Sequence, residues 1–385
     1  MWYNLRMPKQ ETTTAISLEL SAKLTVVSFI SACFVVVLHA YDKSFAAGGG
    51  LPAWAVVFIG RIMPTFAVPV FFVISGYLLG VKSCGGSREG WYAQALGKRA
   101  KTLLVPYLLW CTLYALTVVP FTMYGNHAAG RALLHNTHLH AAPGSPWNIV
   151  YVYGGDLFHL PVASVMWYVR NLMMLVLIAP PLLRLLRSRL AGAAFLCVSF
   201  GALLMHDWIP GRWWNLFETG FSLAGVFYFS VGLFLSIHAA DYPLRRQRNP
   251  LWPVLWLGGC ALFTYIHFLH PTGGGLLAVQ RMLAKVVTAI GVLAVWTLYD
   301  LVPGASRFLR LSVVKDSFFV YAAHLGIIST VTCARTQDIL ATRLHVPVFG
   351  LFAIRIAVPI LLALAAAEIL KRWLPKAYAL LTGGR

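Results

Sequence analysis

Residues 22–41 read AKLTVVSFISACFVVVLHAY, an apolar run in which Lys23 is the only formally charged residue. A membrane-spanning helix needs about 20 mostly apolar residues, so this run is long enough to cross a bilayer. Nine further stretches have the same character: roughly 64–81, 102–120, 164–184, 190–206, 219–238, 250–269, 276–300, 316–334 and 346–370. The sequence predicts an all-α, polytopic transmembrane helical bundle of about ten spans, in one domain over residues 1–385.

The composition of the whole chain agrees with this prediction. Of 385 residues, 59% are hydrophobic and 11% are charged, with a mean hydropathy of +0.73. Soluble proteins carry about 25% charged residues, so a soluble globular protein, a disordered chain and a nucleic-acid-binding domain are excluded. The net charge of +19 is typical of basic cytoplasmic loops that face anionic membrane lipids.

The basic residues between the predicted spans alternate along the chain. One set of alternating segments carries 21 Lys and Arg residues, whereas the opposite set carries five. Because basic residues collect in cytoplasmic loops, this asymmetry predicts that both termini are cytoplasmic and that the number of spans is even.

Five basic side chains fall inside predicted spans or, for Arg61, on the border of the second span: Arg61, Arg170, Arg281, Lys285 and Arg355. A charge at the centre of a bilayer costs about 3 kcal/mol on insertion scales. Few acidic residues lie near the spans, so either some cations reach the membrane interface or an anionic ligand balances them. A functional role is favoured for Arg170, which follows Trp167 and Tyr168.

Two histidines lie within or at the end of apolar runs. His39 ends the first span, where a histidine can simply be interfacial. His324 lies inside a predicted span, and Ser317, Tyr321 and His324 follow at i, i+4 and i+7, so they share one helix face. This polar stripe is explained equally well by hydrogen bonds between helices or by a functional site.

A predicted extracytoplasmic loop over about 121–163 is rich in histidine. The spacing of His135, His138 and His140 fits a metal site, but a polar, hydrated loop explains it as well. We predict no metal site.

Several motifs recur in an order that resembles the acyltransferase 3 family of bacterial membrane proteins, and the match covers nearly the whole chain. The most specific of them is the Pro-x-Phe-Phe-x-x-Ser-Gly-Tyr string that begins at Pro69. In chain order the motifs are FVVVLH at 34–39, VPVFFVISGYLL at 68–79, KRAK at 98–101 with PYLLW at 106–110, WYVRNL at 167–172, DSFFVYAAH at 316–324 and GGR at 383–385. Ser28 and Thr102 stand where the family has arginines.

The resemblance implies an O-acyltransferase of the bacterial inner membrane that uses acyl-CoA, chiefly acetyl-CoA, as a co-substrate, with no tightly bound cofactor. Its partners would be membrane lipids and an acceptor hydroxyl on an envelope glycan or a lipid-linked sugar. An exporter of a glycan or lipid-linked sugar is the alternative, and it would not need His39. An acceptor amino group or lipid would keep the chemistry and change only the substrate.

His39 is the expected general base, because imidazole titrates near neutral pH and a sugar hydroxyl is a poor nucleophile. An acyl intermediate on His39 or Ser75 is a second possibility. Asp42, three residues after His39, is a candidate to orient it. The transition-state oxyanion needs donors, for which Arg170, Tyr321 and His324 are candidates. The residues expected to bind acyl-CoA are Lys98, Arg99, Lys101 and Ser75.

These assignments predict a cavity through the bundle. The CoA nucleotide would bind at the cytoplasmic mouth, and the acceptor would approach from the outer side, where Arg170, Arg281 and Arg355 lie. The weaker alternative has both substrates meeting on the cytoplasmic side, with the outer arginines reaching the interface.

Overall fold

The computed structural model describes residues 18–46, 49–84, 90–154, 159–209, 213, 216–240, 242, 248–269, 274–328 and 345–384. Within these ranges the regular structure is helical and no β-strand is present, so the all-α prediction is confirmed. The helices are α1 Leu18–Ala40, α2 Gly50–Ser83, α3 Trp91–Ala128, α4 Asn148–Tyr153, α5 Ser164–Leu177, α6 Ala179–Leu186, α7 Arg189–Trp208, α8 Leu223–His238, α9 Leu251–Phe268, α10 Gly274–Leu301, α11 Ser317–Ala323, α12 Val348–Trp373 and α13 Pro375–Thr382.

Seven helices in this part of the chain are long and apolar enough to cross a membrane, and the bent pair α5–α6 brings the number to eight. Seven of the ten predicted spans correspond to these long helices. The predicted span 219–238 corresponds to the shorter α8, and 316–334 lies partly outside the described residues. A polytopic helical protein is confirmed, whereas the count of ten and the side of each terminus stay predictions.

The predicted span 164–184 is bent. Its two halves, α5 and α6, meet at an angle of 64°. Pro180 and Pro181 explain the bend, because each lacks a backbone N–H and their rings exclude a continuous helix across this point.

Local helix distortions lie before the predicted site residue Ser75 in α2 and directly after Lys98 and Arg99 in α3. A π turn at Phe58–Ile62 and a 3-10 turn at Met63–Phe66 interrupt α2, and a π turn at Ala100–Leu104 interrupts α3. Each break lies next to a proline, Pro64 or Pro106, that cannot donate to the regular hydrogen-bond ladder.

Helices α2 and α8 pack closely against each other. A Cβ atom on Gly76 would lie 2.1 Å from the carbonyl oxygen of Phe229, and one on Gly232 would lie 2.1 Å from that of Val73. Only glycine permits this approach, which is a common way for helices to pack in membranes. The contact fixes Ser75, the neighbour of Gly76, against the rest of the bundle.

A buried ion pair joins α1 to α10 at the side predicted to be cytoplasmic. The Lys23 ammonium lies 2.6 Å from a carboxylate oxygen of Asp300 and 4.2 Å from the ring centroid of Trp296. Both charged side chains are about 95% buried, at 5% and 6% exposure. Lys23 therefore serves the packing of the bundle.

Candidate functional site

A large cavity occupies the half of the bundle predicted to face the cytoplasm. Its volume is about 910 Å³, near the upper end of ordinary ligand sites. Parts of α1, α2, α3, α5 and α11 line it, together with Gly383 and Gly384 at the end of the chain. Of the predicted site residues, Ser75, Lys98, Arg99 and Tyr321 line this cavity, as do Ser28 and Thr102, which stand where the family has arginines.

Basic and aromatic residues line one side of the cavity. Lys82, at the end of α2, lines it together with Lys98 and Arg99 of α3. Trp91, Gln94, Ala95 and Lys98 follow at i, i+3, i+4 and i+7, so α3 presents one continuous stripe to the cavity. This stripe was not predicted, although its helical spacing can be read from the sequence.

Lys101 differs from its neighbours. It is exposed, and it is not among the side chains that line the cavity. Lys101 lies in the π turn Ala100–Leu104, where the spacing of side chains differs from that of a regular α-helix, and it lies off the face that lines the cavity.

Aromatic side chains and a serine form the inner end of the cavity. The hydroxyls of Ser75 and Tyr168 lie 3.3 Å apart, and the ring of Phe71 packs against those of Tyr168 and Tyr321. The Tyr321 hydroxyl donates to the carbonyl oxygen of Val165. Because this proton is already engaged, Tyr321 has to leave Val165 before it can donate to an oxyanion.

His39 and His324 lie side by side although 285 positions separate them. Their ring centroids are 5.3 Å apart, and the ring of His324 is 6.4 Å from that of Tyr321. His324 is 1% exposed, whereas His39 is exposed. From Tyr321 at the deep end of the cavity, one ring contact leads to His324 and a second leads to His39. His39 is the exposed member of the pair and is therefore the one that a substrate can reach.

A hydrogen bond determines what His324 can do. Its Nδ1 lies 2.7 Å from the backbone oxygen of Tyr321, and a carbonyl only accepts, so Nδ1 carries the proton. In a neutral ring Nε2 is then an acceptor, and it is buried with no partner among the described residues. The Nε2 atom of neutral His324 can therefore accept a hydrogen bond or a proton, but it cannot donate a hydrogen bond to an oxyanion.

The helix breaks directly after His324. Leu325 and Gly326 have non-helical backbone angles, with φ +74° at Gly326, and a Cβ on Gly326 would lie 2.3 Å from the Tyr114 ring. The Tyr114 hydroxyl donates to the carbonyl oxygens of Ala322 and Leu325. Irregular backbone within a membrane is tolerated where such groups satisfy it, and here it ends α11 at the histidine.

Arg170 contacts backbone oxygens and does not line the cavity. Its guanidinium donates to the backbone oxygens of Gly154 and His159. The neighbouring Tyr168, Val169 and Leu172 line the cavity, whereas Arg170 does not. Arg170 therefore ties Gly154 and His159 to α5, and its catalytic role stays a prediction.

The outer end of α1 carries a half-buried ion pair. An Arg355 guanidinium nitrogen lies 3.5 Å from Asp42, and the Arg355 guanidinium lies over the ring of Phe45. The backbone N–H and the hydroxyl of Ser44, with a smaller contribution from Arg355, hold the pKa of Asp42 below its ordinary value. The Asp42 carboxylate is thus engaged by Ser44 and Arg355, and no hydrogen bond joins it to His39.

The remaining cations inside spans have weaker partners. Arg281 is exposed and donates to the Asp207 backbone oxygen at 3.5 Å. Arg61 lies over the Tyr41 ring, 5.8 Å from its centroid. For Lys285 no carboxylate lies within ion-pair distance in the described part of the chain.

The histidine-rich loop brings two imidazoles together. The rings of His140 and His159 lie 4.1 Å apart, and burial, with His140 nearby, lowers the pKa of His138. Among the residues that the structure describes, no group of three potential metal ligands occurs.

Comparison with known proteins identifies the family. The sequence profile described as "Acyltransferase domain" matches residues 22–364. The succinoglycan biosynthesis protein ExoH of Rhizobium meliloti (strain 1021) is 25% identical over 374 residues, which are 95% of this chain and 92% of that protein. No solved structure matches the chain. The profile spans most of the chain, and the protein therefore belongs to the acyltransferase 3 family.

Proposed function

We propose that this acyltransferase moves an acetyl group from acetyl-CoA to a hydroxyl of an envelope glycan or a lipid-linked sugar, at the bacterial inner membrane. The observation that carries the proposal is the large cavity with a basic rim, whose inner end lies two ring contacts from His39. The name of the relative, a succinoglycan biosynthesis protein, supports a polysaccharide as the acceptor.

The donor fits the cavity by charge and shape. The nucleotide phosphates of acetyl-CoA need cations, which Lys82, Lys98 and Arg99 would supply. The rings of Trp91 and Phe71 offer apolar surface to the rest of the molecule, and the pantetheine arm would carry the thioester toward Ser75 and Tyr321. A cavity of about 910 Å³ has room for a ligand of this size.

The chemistry requires one proton to move twice. The acceptor hydroxyl gives its proton to His39 while its oxygen forms a bond to the thioester carbonyl carbon. When the carbon–sulfur bond breaks, the protonated His39 returns that proton to the CoA thiolate. The Nε2 atom of His324 would accept from the His39 ring and stabilise its charged state, because Nδ1 of His324 is held by Tyr321.

The acceptor would approach from the outer end of α1. His39 is exposed there, and Arg355 and Arg61 lie close to this end of the helix, by Phe45 and Tyr41. Cations at this depth suit an anionic acceptor such as a phosphate-linked sugar. Arg170, predicted as an oxyanion donor, would act indirectly in this arrangement by holding Gly154 and His159.

The test is transfer of label from acetyl-CoA, labelled in its acetyl group, to glycan in membranes that contain the protein. The His39→Ala variant is expected to lower the rate by about a hundred- to ten-thousandfold. His127→Ala, which removes an exposed histidine in the last turn of α3, is the matched control and should keep the full rate. Label transfer that is absent in the wild type, with glycan export intact, would show an exporter and overturn the proposal.

A further inference from the structure

The end of the chain folds back onto the cavity. Gly383 and Gly384, which follow α13, line it together with Lys98, Arg99 and Thr102 of α3. This placement joins the last residues of the protein to a helix about 280 positions earlier in sequence.

Specific contacts hold α13 in place. The indole N–H of Trp110 donates to the Leu381 backbone oxygen at 3.0 Å, and the Tyr378 hydroxyl donates to Asp316 at 2.5 Å. Asp316 is 1% exposed and also pairs with Lys371 of α12, 2.7 Å away. The segment is therefore docked by hydrogen bonds to buried partners.

The two glycines have different constraints. Gly383 has φ +68°, and a Cβ there would lie 2.4 Å from the Thr102 backbone oxygen, so no side chain fits. Gly384 has φ +71° and no atom within 4 Å of a Cβ. A side chain at Gly384 would therefore not clash with the protein and would occupy free space at the cavity wall.

The hydrogen bond from Tyr378 to Asp316 also connects α13 to α11. Asp316 immediately precedes α11, which carries Ser317 and Tyr321 into the cavity and ends at His324. Tyr378 thus links α13 to the start of the helix that His324 caps at its C-terminal end.

We propose that Gly383 and Gly384, held in place by α13, form one wall of the acyl-donor site, and that the absence of a side chain at Gly384 keeps this wall open for the donor. The inference rests on the proposed function, because it assigns acetyl-CoA to this cavity. Since Thr102 lies one turn from Lys98, the wall faces the part of the donor that the basic residues hold.

Gly384→Asn tests the wall, because Asn tolerates a positive φ better than most residues. Its side chain should fill part of the donor space and raise the KM for acetyl-CoA about tenfold. Gly130→Asn is the matched control: Gly130 has φ +63° and equally free space, in the outer loop. The control should leave the KM unchanged.

Equilibrium binding of CoA to the purified full-length protein separates the two proposals. If the wild type does not bind CoA, the proposed donor is wrong. If the wild type binds CoA, and Gly384→Asn binds it equally well with an unchanged KM, the wall is wrong while the donor stands. Tyr378→Phe, which removes the hydrogen bond to Asp316, should lower kcat with a smaller change in KM; unchanged kinetics there would refute the link to α11.

Discussion

The two ends of the bundle hold their cations differently. At the inner mouth, Lys82, Lys98 and Arg99 line one cavity, and none of the three has a carboxylate within ion-pair distance among the described residues. At the outer end, Arg355 pairs with Asp42 and Arg170 donates to backbone oxygens. Like charges that lie close together without anions are costly unless an anionic ligand balances them. Lys82, Lys98 and Arg99 are therefore the better site for an anionic donor, whereas Arg355 and Arg170 already have partners within the protein.

Removing one inner cation is expected to have the largest effect in this comparison. Arg99→Gln should raise the KM for acetyl-CoA about ten- to hundredfold, because a hydrogen bond to a charged group contributes about 1.5–3 kcal/mol. Steady-state kinetics with acetyl-CoA varied at saturating acceptor measure this change.

Arg355→Gln is the control at the opposite end, where the cation already has a carboxylate partner. It should leave the KM for acetyl-CoA unchanged. If both substitutions raised the donor KM equally, the difference between the two ends would not be functional.

The role of His324 gives a smaller expected effect and tests the direction of its hydrogen bonds. His324→Asn keeps a donor near Nδ1 and loses the acceptor at Nε2, whereas His324→Gln can place an oxygen near Nε2. We expect Asn to lower kcat about tenfold with an unchanged KM, and Gln to retain more activity.

The pH profile of kcat distinguishes a positioning role from a purely structural one. Loss of the acceptor next to His39 should move the ionisation seen in the kcat profile, because a hydrogen bond to the charged form favours it. An unchanged profile, together with equal activity of the two variants, would assign His324 to packing alone.

The helical fold followed from the sequence for a clear physical reason, whereas the site residues stay predictions. Apolar runs of spanning length predict helices because no other open structure satisfies its backbone in lipid. The stripe of Ser317 and Tyr321 was predicted from helical spacing, and both residues line the cavity.

Other features depend on packing between distant parts of the chain. The contact of His39 with His324 and the return of Gly383 to Thr102 each join residues far apart in sequence, and a single sequence carries no signal for either. Lys101 does not line the cavity with Lys98 and Arg99, because it lies in a π turn that changes the helical spacing, and its role in donor binding stays a prediction. Pro180 and Pro181 indicate a bend after α5, but they do not predict its angle of 64°.

The smallest expected effect concerns Asp42 at the outer end. Its pKa lies below the ordinary value of 3.8 because Ser44 and, less strongly, Arg355 favour the ionised form. A carboxyl whose pKa is depressed by folding stabilises the folded state above its unfolded pKa, and this contribution is lost as the pH falls through the folded value. Since the Asp42 side chain is 47% exposed, the ion pair contributes less than about 1 kcal/mol. Thermal unfolding of Asp42→Asn should therefore match the wild type within about 4 °C at neutral pH, and the two should converge below pH 3.8. A larger loss at neutral pH, accompanied by loss of transfer, would show that Asp42 acts on His39 and would make the outer end part of the catalytic site.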